Sequence, residues 1–306
     1  MYLELIIPLL AATIQSGTPI LYATLGEIIT ERSGVINLGV EGIMLVGAFC
    51  AFITAQVTGN AVLGFIVGGV SGALLAGLHG LVCLGFQGNQ VVSGLAITIM
   101  GTGLANYLGT PYVGQSAPGF DPLPFPVLSK IPVLGMVLFH HDVLVYLAYI
   151  IPLILWLYLK FTRWGLGLRA VGEHPEAALA AGLGIVGYRW IGVVAGGCLM
   201  GFGGAYLSLA YTHLWTTGLT AGRGWIAVAL VIFAFWQPWR AFLGAYLFGG
   251  VMAFQFRLQA MGTQLPSSLL LMLPYLLTIA VLVFSSWKGS VNQAPAALGI
   301  NIEPPD

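Results

Sequence analysis

Charge is the scarcest property of this sequence. Only 7% of its 306 residues are Asp, Glu, Lys or Arg, against about 25% in a soluble globular domain. So few charges cannot cover a water-facing surface, which excludes a soluble enzyme and a disordered chain. Ten basic and ten acidic residues cancel, leaving no electrostatic footprint for a nucleic-acid partner. Cysteine is scarce as well. Cys50, Cys83 and Cys198 lie inside apolar stretches and form no C-x-x-C or Cys/His metal pattern. They read as small buried apolar residues. No Lys or Arg precedes Arg32, so the basic n-region of a cleavable signal peptide is missing. Catalytic and nucleotide signatures are missing too. The sequence has no G-x-x-x-x-G-K-[ST], H-E-x-x-H or G-x-S-x-G, and no strand-linked G-x-G-x-x-G.

What is present is apolar surface. Hydrophobic residues make up 58% of the chain and the mean hydropathy is +0.95. The apolar stretches are continuous, as in residues 144–159, and do not alternate with polar residues as the strands of an outer-membrane barrel do. The expectation is an all-α, polytopic, integral membrane helical bundle. Residues 3–28 form a first span whose polar middle, 15–19, predicts a kink. Residues 30–34 read as a polar turn. From Leu38 to Thr110 the only charged residue is Glu41. As one helix that stretch would be roughly 110 Å long, so it must fold back more than once. Turns at 58–60 and 87–90 give spans near 38–57, 61–86 and 91–110. Residues 143–161, 190–211, 225–238, 241–256 and 266–286 supply the others, for about nine crossings, within eight to ten.

The segment 111–142 carries six prolines and reads as a loop outside the bilayer. The loop 162–189 is flanked by Lys160 and contains Arg163, Arg169 and Arg189, whereas 111–142 holds only Lys130. The excess of positive charge places 162–189 in the cytoplasm and 111–142 outside, with the N-terminus out and the C-terminus in. Residues 1–288 then form a single transmembrane domain, and the proline-containing tail 289–306 is expected to be mobile.

Small residues are abundant. Gly64, Gly68, Gly72, Ala76 and Gly80 recur every fourth position of the third span, and Gly192, Gly196, Gly197, Gly201, Gly203 and Gly204 crowd the sixth. Such stripes let helix backbones approach closely in lipid. Glu41 and His79 are the ionisable groups read well inside spans. Glu41 is expected near the cytoplasmic end of its span, where it either reaches water or pairs with Arg32. His79 reads as a neutral imidazole bonded to a neighbouring helix.

The cytoplasmic loop carries the most specific pattern. Pro175 suits a first helical position, and Glu176 suits the positive end of the helix dipole. Ala177, Ala178 and Ala181 belong to a run of strong helix formers, and Gly182 can end the helix in the left-handed region. This short helix has an almost entirely small surface, which calls for a partner's groove. From Pro175 to Gly182 it resembles the coupling helix of ABC-importer permeases. The segments 25–28 and 31–42 resemble the branched-chain amino acid and ribose-type permease family. The segments 168–173 and 220–227 resemble its nucleoside branch, close to simple-sugar permeases. The resemblance covers residues 20–290. The aromatic run 235–239 departs from it.

This resemblance implies a bacterial cytoplasmic-membrane permease driven by a separate ATP-binding cassette subunit. It also implies a second homologous permease and an extracytoplasmic substrate-binding protein or lipoprotein. ATP would act at the partner subunit, and no cofactor or metal is expected on this chain. An ion-coupled transporter would place several carboxylates at the midplane, and an intramembrane enzyme would need a paired nucleophile and base. Neither pattern is present. Candidate substrate-path residues are Asn37, Glu41, Ser93, Thr98, Asn106 and Trp225, with Gln15 and Tyr107. Each either lines the path or satisfies a hydrogen bond between helices.

Overall fold

A computed structural model describes residues 2–263, 266, 269–270, 272–287 and 294–301. It is all-helical apart from one isolated bridge, between Ser116 and Leu214, among the described residues. Twelve helices follow in order. They are α1 (Tyr2–Arg32), α2 (Val40–Thr58), α3 (Ala61–Gly80), α4 (Gln90–Gly109), α5 (Leu134–Leu138) and α6 (Val143–Phe161). Then come α7 (Arg163–Glu173), α8 (Pro175–Ala180), α9 (Ile185–Tyr206), α10 (Arg223–Phe233), α11 (Pro238–Ala260) and α12 (Leu273–Trp287). Among the described residues, 7 helices are long and apolar enough to cross a membrane. With 11 and 15 residues, α10 and α12 are shorter than a full span.

The bundle is built around α9. Its glycines bring three neighbours into backbone contact. A Cβ on Gly72 of α3 would lie 2.7 Å from Gly201 Cα and would overlap the Gly197 carbonyl. Both stripes therefore face the interior, with α3 and α2 on α9 and α1 on its remaining face. The arrangement repeats itself. α3 lies against α9 as α11 lies against α1, and α2 packs on α9 as α10 packs on α1.

Two irregular segments precede α2 and α10. Residues 33–39 leave α1 through a turn at Ser33 and Gly34, continue without regular structure over 35–37 and turn again at 38–39, beside the start of α4. There the Ile36 N–H donates to Gln90 Oε1 at 2.8 Å, and Thr98 Oγ1 donates to the Leu38 carbonyl at 2.7 Å. Only then does α2 begin. Residues 212–222 run the opposite way, with the Trp215 N–H on the Gln115 carbonyl at 3.1 Å and the Gly218 N–H on Asn106 Oδ1 at 3.0 Å, before α10 begins. Each is an irregular segment followed by a helix, and the N-termini of α2 and α10 meet inside the bundle.

Several expectations change. α1 continues unbroken through residues 15–19 despite Pro19. Residues 30–32 are its last turn, with Thr30 and Glu31 buried, rather than a polar surface turn. The loop 162–189 contains α7 as well as α8, because Thr162 caps α7 by accepting from the Gly165 N–H at 3.0 Å. In the tail read as mobile, residues 294–301 are held in place. The Ala297 N–H donates to the Gly172 carbonyl at 2.9 Å, Gly299 N–H to Gly34 at 3.1 Å, and Asn301 Nδ2 to Gln87 at 2.7 Å. The rest of that tail, 289–293 and 302–306, lies outside the described residues.

Candidate functional site

The two irregular segments lead into helices that meet at Glu41. Its Oε1 accepts from Thr220 Oγ1 at 2.6 Å and from the Gly222 N–H at 2.9 Å, and its Oε2 accepts from the Gly224 N–H at 2.7 Å. Glu41 lies in the first turn of α2 while its carboxylate closes the N-terminus of α10. The positive ends of two helix dipoles therefore converge on one negative side chain. Close approach requires a glycine here, since a Cβ on Gly224 would lie 2.5 Å from Glu41 Cα. Arg223 is buried beside this junction without a hydrogen bond to Glu41. Its Nη1 donates to the Thr220 carbonyl at 3.1 Å and its guanidinium lies 5.5 Å from the Tyr211 ring centre.

Glu41 does not pair with Arg32, one of the two expectations for it. The irregular segment 33–39 lifts the start of α2 away from Arg32, which instead meets Glu173 at 3.3 Å. The other candidates divide into two groups. Asn37 is fully buried. Its backbone N–H donates to Glu27 Oε1 at 3.1 Å and its Oδ1 accepts from the Gly39 N–H at 2.9 Å. Ser93 is buried and bonds His79 Nδ1 at 3.0 Å, while His79 Nε2 reaches the Ile36 carbonyl at 2.9 Å. These residues hold the segment 33–39 in place. Thr98 is bound to Leu38 and Asn106 to Gly218, and both are partly exposed beside the irregular segments. Trp225, in the first turn of α10, is 39% exposed, and Tyr107 is 78% exposed. Gln15 sits apart from this junction, part-way along α1.

Non-helical backbone at this depth is informative. Thr217, Gly218 and Ala221 are exposed. In lipid, irregular backbone is tolerated only where protein covers it or where it lines a water-filled cavity. The side chains bonded to these segments include the uncharged Asn106 and Thr98 and the carboxylate of Glu41.

At the other end, α8 forms as its sequence dictates. Pro175 starts it and Gly182, at φ +80, ends it. The Gly182 N–H donates to the Leu179 carbonyl at 2.8 Å and the Leu183 N–H to Ala178 at 3.0 Å, the hydrogen-bond pair of a Schellman cap. Ala178 is 3% exposed and packs with Val171 and Ile185. The outward surface of this helix and its cap is Glu176, Ala177, Leu179, Ala180, Ala181 and Gly182. A groove of about 690 Å³ lies between Glu173–Ala177 and the held tail residues Ala296, Ala297, Ile300 and Asn301.

Sequence reasoning missed the buried ionisable groups around residue 31. Glu27 and Glu31 are 0% and 5% exposed, and Trp236 Nε1 donates to Glu31 Oε2 at 2.5 Å. The available signal was their spacing of four residues, which puts both carboxylates on one face of α1. Arg189 and Arg223 are also buried. Arg189 Nη1 donates to the Ile300 carbonyl at 2.8 Å, a contact no local pattern announces.

Residues 9–282 match the family described as branched-chain amino acid transport system / permease component. A putative glucose ABC transporter permease of Haloferax volcanii is 42% identical over 299 residues, covering 90% of this chain and 91% of that protein. A nucleoside ABC transporter permease of Lactococcus lactis is 34% identical over 302 residues, 93% of each. A guanosine ABC transporter permease of Bacillus subtilis is 35% identical over 319 residues, covering 97% of this chain and 96% of that protein. No solved structure matches. A multi-pass helical bundle, a match across nearly its whole length and three permease relatives place this chain in the branched-chain amino acid transport system permease family of ABC transporters.

Proposed function

We propose that this chain is one permease half of an ABC importer that takes neutral nucleosides inward across a bacterial cytoplasmic membrane. The observation that carries the reading is the lining beside α10. Trp225 offers an exposed aromatic face at the start of α10, and the uncharged side chains of Asn106 and Thr98 are bonded to the two irregular segments. A nucleobase stacks on an aromatic face, and a ribose needs amide and hydroxyl partners rather than fixed charges. The nucleoside and guanosine permeases among the relatives support the same substrate class.

In this reading the end bearing α8 faces the cytoplasm, where an ATP-binding cassette subunit docks on α8 and binds the ATP. The basic residues Arg163 and Arg169 near α8 agree with that orientation. Residues 212–233 and α12 count as two further crossings beside the seven long helices, giving nine, with the N-terminus outside and the C-terminus inside. A second, homologous permease covers the exposed side of 217–221 and completes the path. A substrate-binding protein or lipoprotein delivers the ligand from outside.

A second reading, uptake of a simple sugar, is favoured by the glucose permease of Haloferax volcanii at 42% identity. Competition separates the two. In cells expressing the whole transporter, unlabelled guanosine, adenosine or uridine should suppress uptake of a labelled nucleoside while excess glucose or ribose does not. The opposite pattern would establish the sugar reading.

A further inference from the structure

We infer that Glu41 is a specificity-determining residue that makes this permease refuse anions. The inference rests on the nucleoside reading and deepens it. In transporters built on broken helices, half-helix N-termini characteristically face the anionic group of the substrate. Here two such N-termini, those of α2 and α10, meet at the same place. The donors that α10 would offer to a phosphate or carboxylate are the N–H groups of Gly222 and Gly224, joined by the Thr220 hydroxyl. All three already donate to Glu41, at 2.9, 2.7 and 2.6 Å.

Charge and space agree. Each dipole end is equivalent to about half a positive charge, so the pair is close to neutralised by one carboxylate. The nearby cation, Arg223, is 4% exposed and its Nη1 is held by the Leu219 and Thr220 carbonyls, while none of its donors bonds Glu41. Gly224 leaves no gap for a second anion, since an added Cβ would already lie 2.7 Å from Glu41 Oε2. The junction therefore presents a filled face, its three donors held by one carboxylate, beside the exposed residues Thr217, Gly218 and Ala221. A neutral nucleoside passes it without penalty. A nucleotide or amino acid brings a carboxylate or phosphate toward an acceptor-only side chain whose donors are occupied.

The test uses the purified full-length permease with its partner permease and ATPase, without the substrate-binding protein, so that the receptor does not impose its own selectivity. Binding of labelled adenosine is compared with binding of labelled adenosine 5′-monophosphate. The wild type should prefer adenosine by about tenfold or more, the scale of one charge-assisted hydrogen bond. Glu41→Gln keeps the shape and removes the charge, and should narrow that preference several-fold. A purely structural role would lower both affinities together and leave their ratio unchanged, which would overturn the inference. Glu41→Ala empties the carboxylate position. Formate or inorganic phosphate should then raise its melting temperature saturably, or restore its folded yield where it folds poorly. Neither anion should stabilise the wild type or Glu41→Gln in that way. An Ala variant indifferent to both anions would also overturn the inference. Adenosine binding to neither form would count against the nucleoside reading, and the formate response would still decide whether Glu41 occupies an anion position.

Discussion

The indole N–H of Trp236 donates to Glu31 Oε2 at 2.5 Å, and the Trp236 carbonyl accepts from Arg32 Nε at 3.3 Å. One residue after α10 thus holds two consecutive residues at the end of α1. Arg32 continues the chain of contacts to Glu173, the last residue of α7, at 3.3 Å. The aromatic run 235–239 that departs from the family-like pattern has its reason here. Trp236 supplies a donor to a buried carboxylate that would otherwise be short of one.

Trp236→Phe keeps the ring and removes the donor. It should cost about 1–3 kcal/mol, the penalty for a buried acceptor left unpaired. Pairing it with Glu31→Leu should give a loss smaller than the sum of the two single losses, because each variant removes one partner of the same hydrogen bond. Melting curves in detergent of the three variants check this. Strict additivity would show that Trp236 and Glu31 do not interact.

Gly72→Leu should destabilise the bundle strongly, because the added side chain meets the Gly197 and Gly201 backbone of α9. Gly77 of the same helix has nothing within 4 Å of an added Cβ. Gly77→Leu should leave the melting temperature nearly unchanged. Equal effects of the two substitutions in a detergent melt would contradict the packing of α3 on α9.

Two alanines of the α8 region should fail in different ways. Ala178 packs inward on Val171 and Ile185, so Ala178→Glu buries a charge and should lower stability and membrane yield. Ala181 is exposed beyond the end of the helix. Ala181→Glu should insert and fold normally, yet lose co-purification with the ATPase. If Ala181→Glu retains the ATPase and full transport, α8 is not the docking element.

The sequence made the long spans readable because continuous apolar length has few other uses. The spans read at 38–57 and 143–161 lie within two residues of α2 and α6. The short helix α8 was readable from Pro175 and Gly182, since both act locally. The irregular segments were not. Val35, Ile36 and Leu38 are as apolar in an irregular segment as in a helix, and only Gly34, Asn37 and Gly39 mark the difference. Their conformation is set by Gln90, Thr98 and His79, residues dozens of positions away. The partners of Glu41 were hidden for the same reason. Thr220, Gly222 and Gly224 reach it only after the bundle has formed. α7 was missed because its three glycines and near-neutral hydropathy look like a loop, although Thr162 announces its cap.

The most direct measurement of the central claim is energy dependence. Labelled nucleoside uptake is followed in cells lacking the native transporter and supplied with this chain, its partner permease, the binding protein and the ATPase. A second strain carries an ATPase unable to hydrolyse ATP. The account predicts uptake in the first strain and background uptake in the second, with the chain equally abundant in both membranes. Undiminished nucleoside uptake with the hydrolysis-dead ATPase would contradict it and would mark the chain as a carrier that works without ATP.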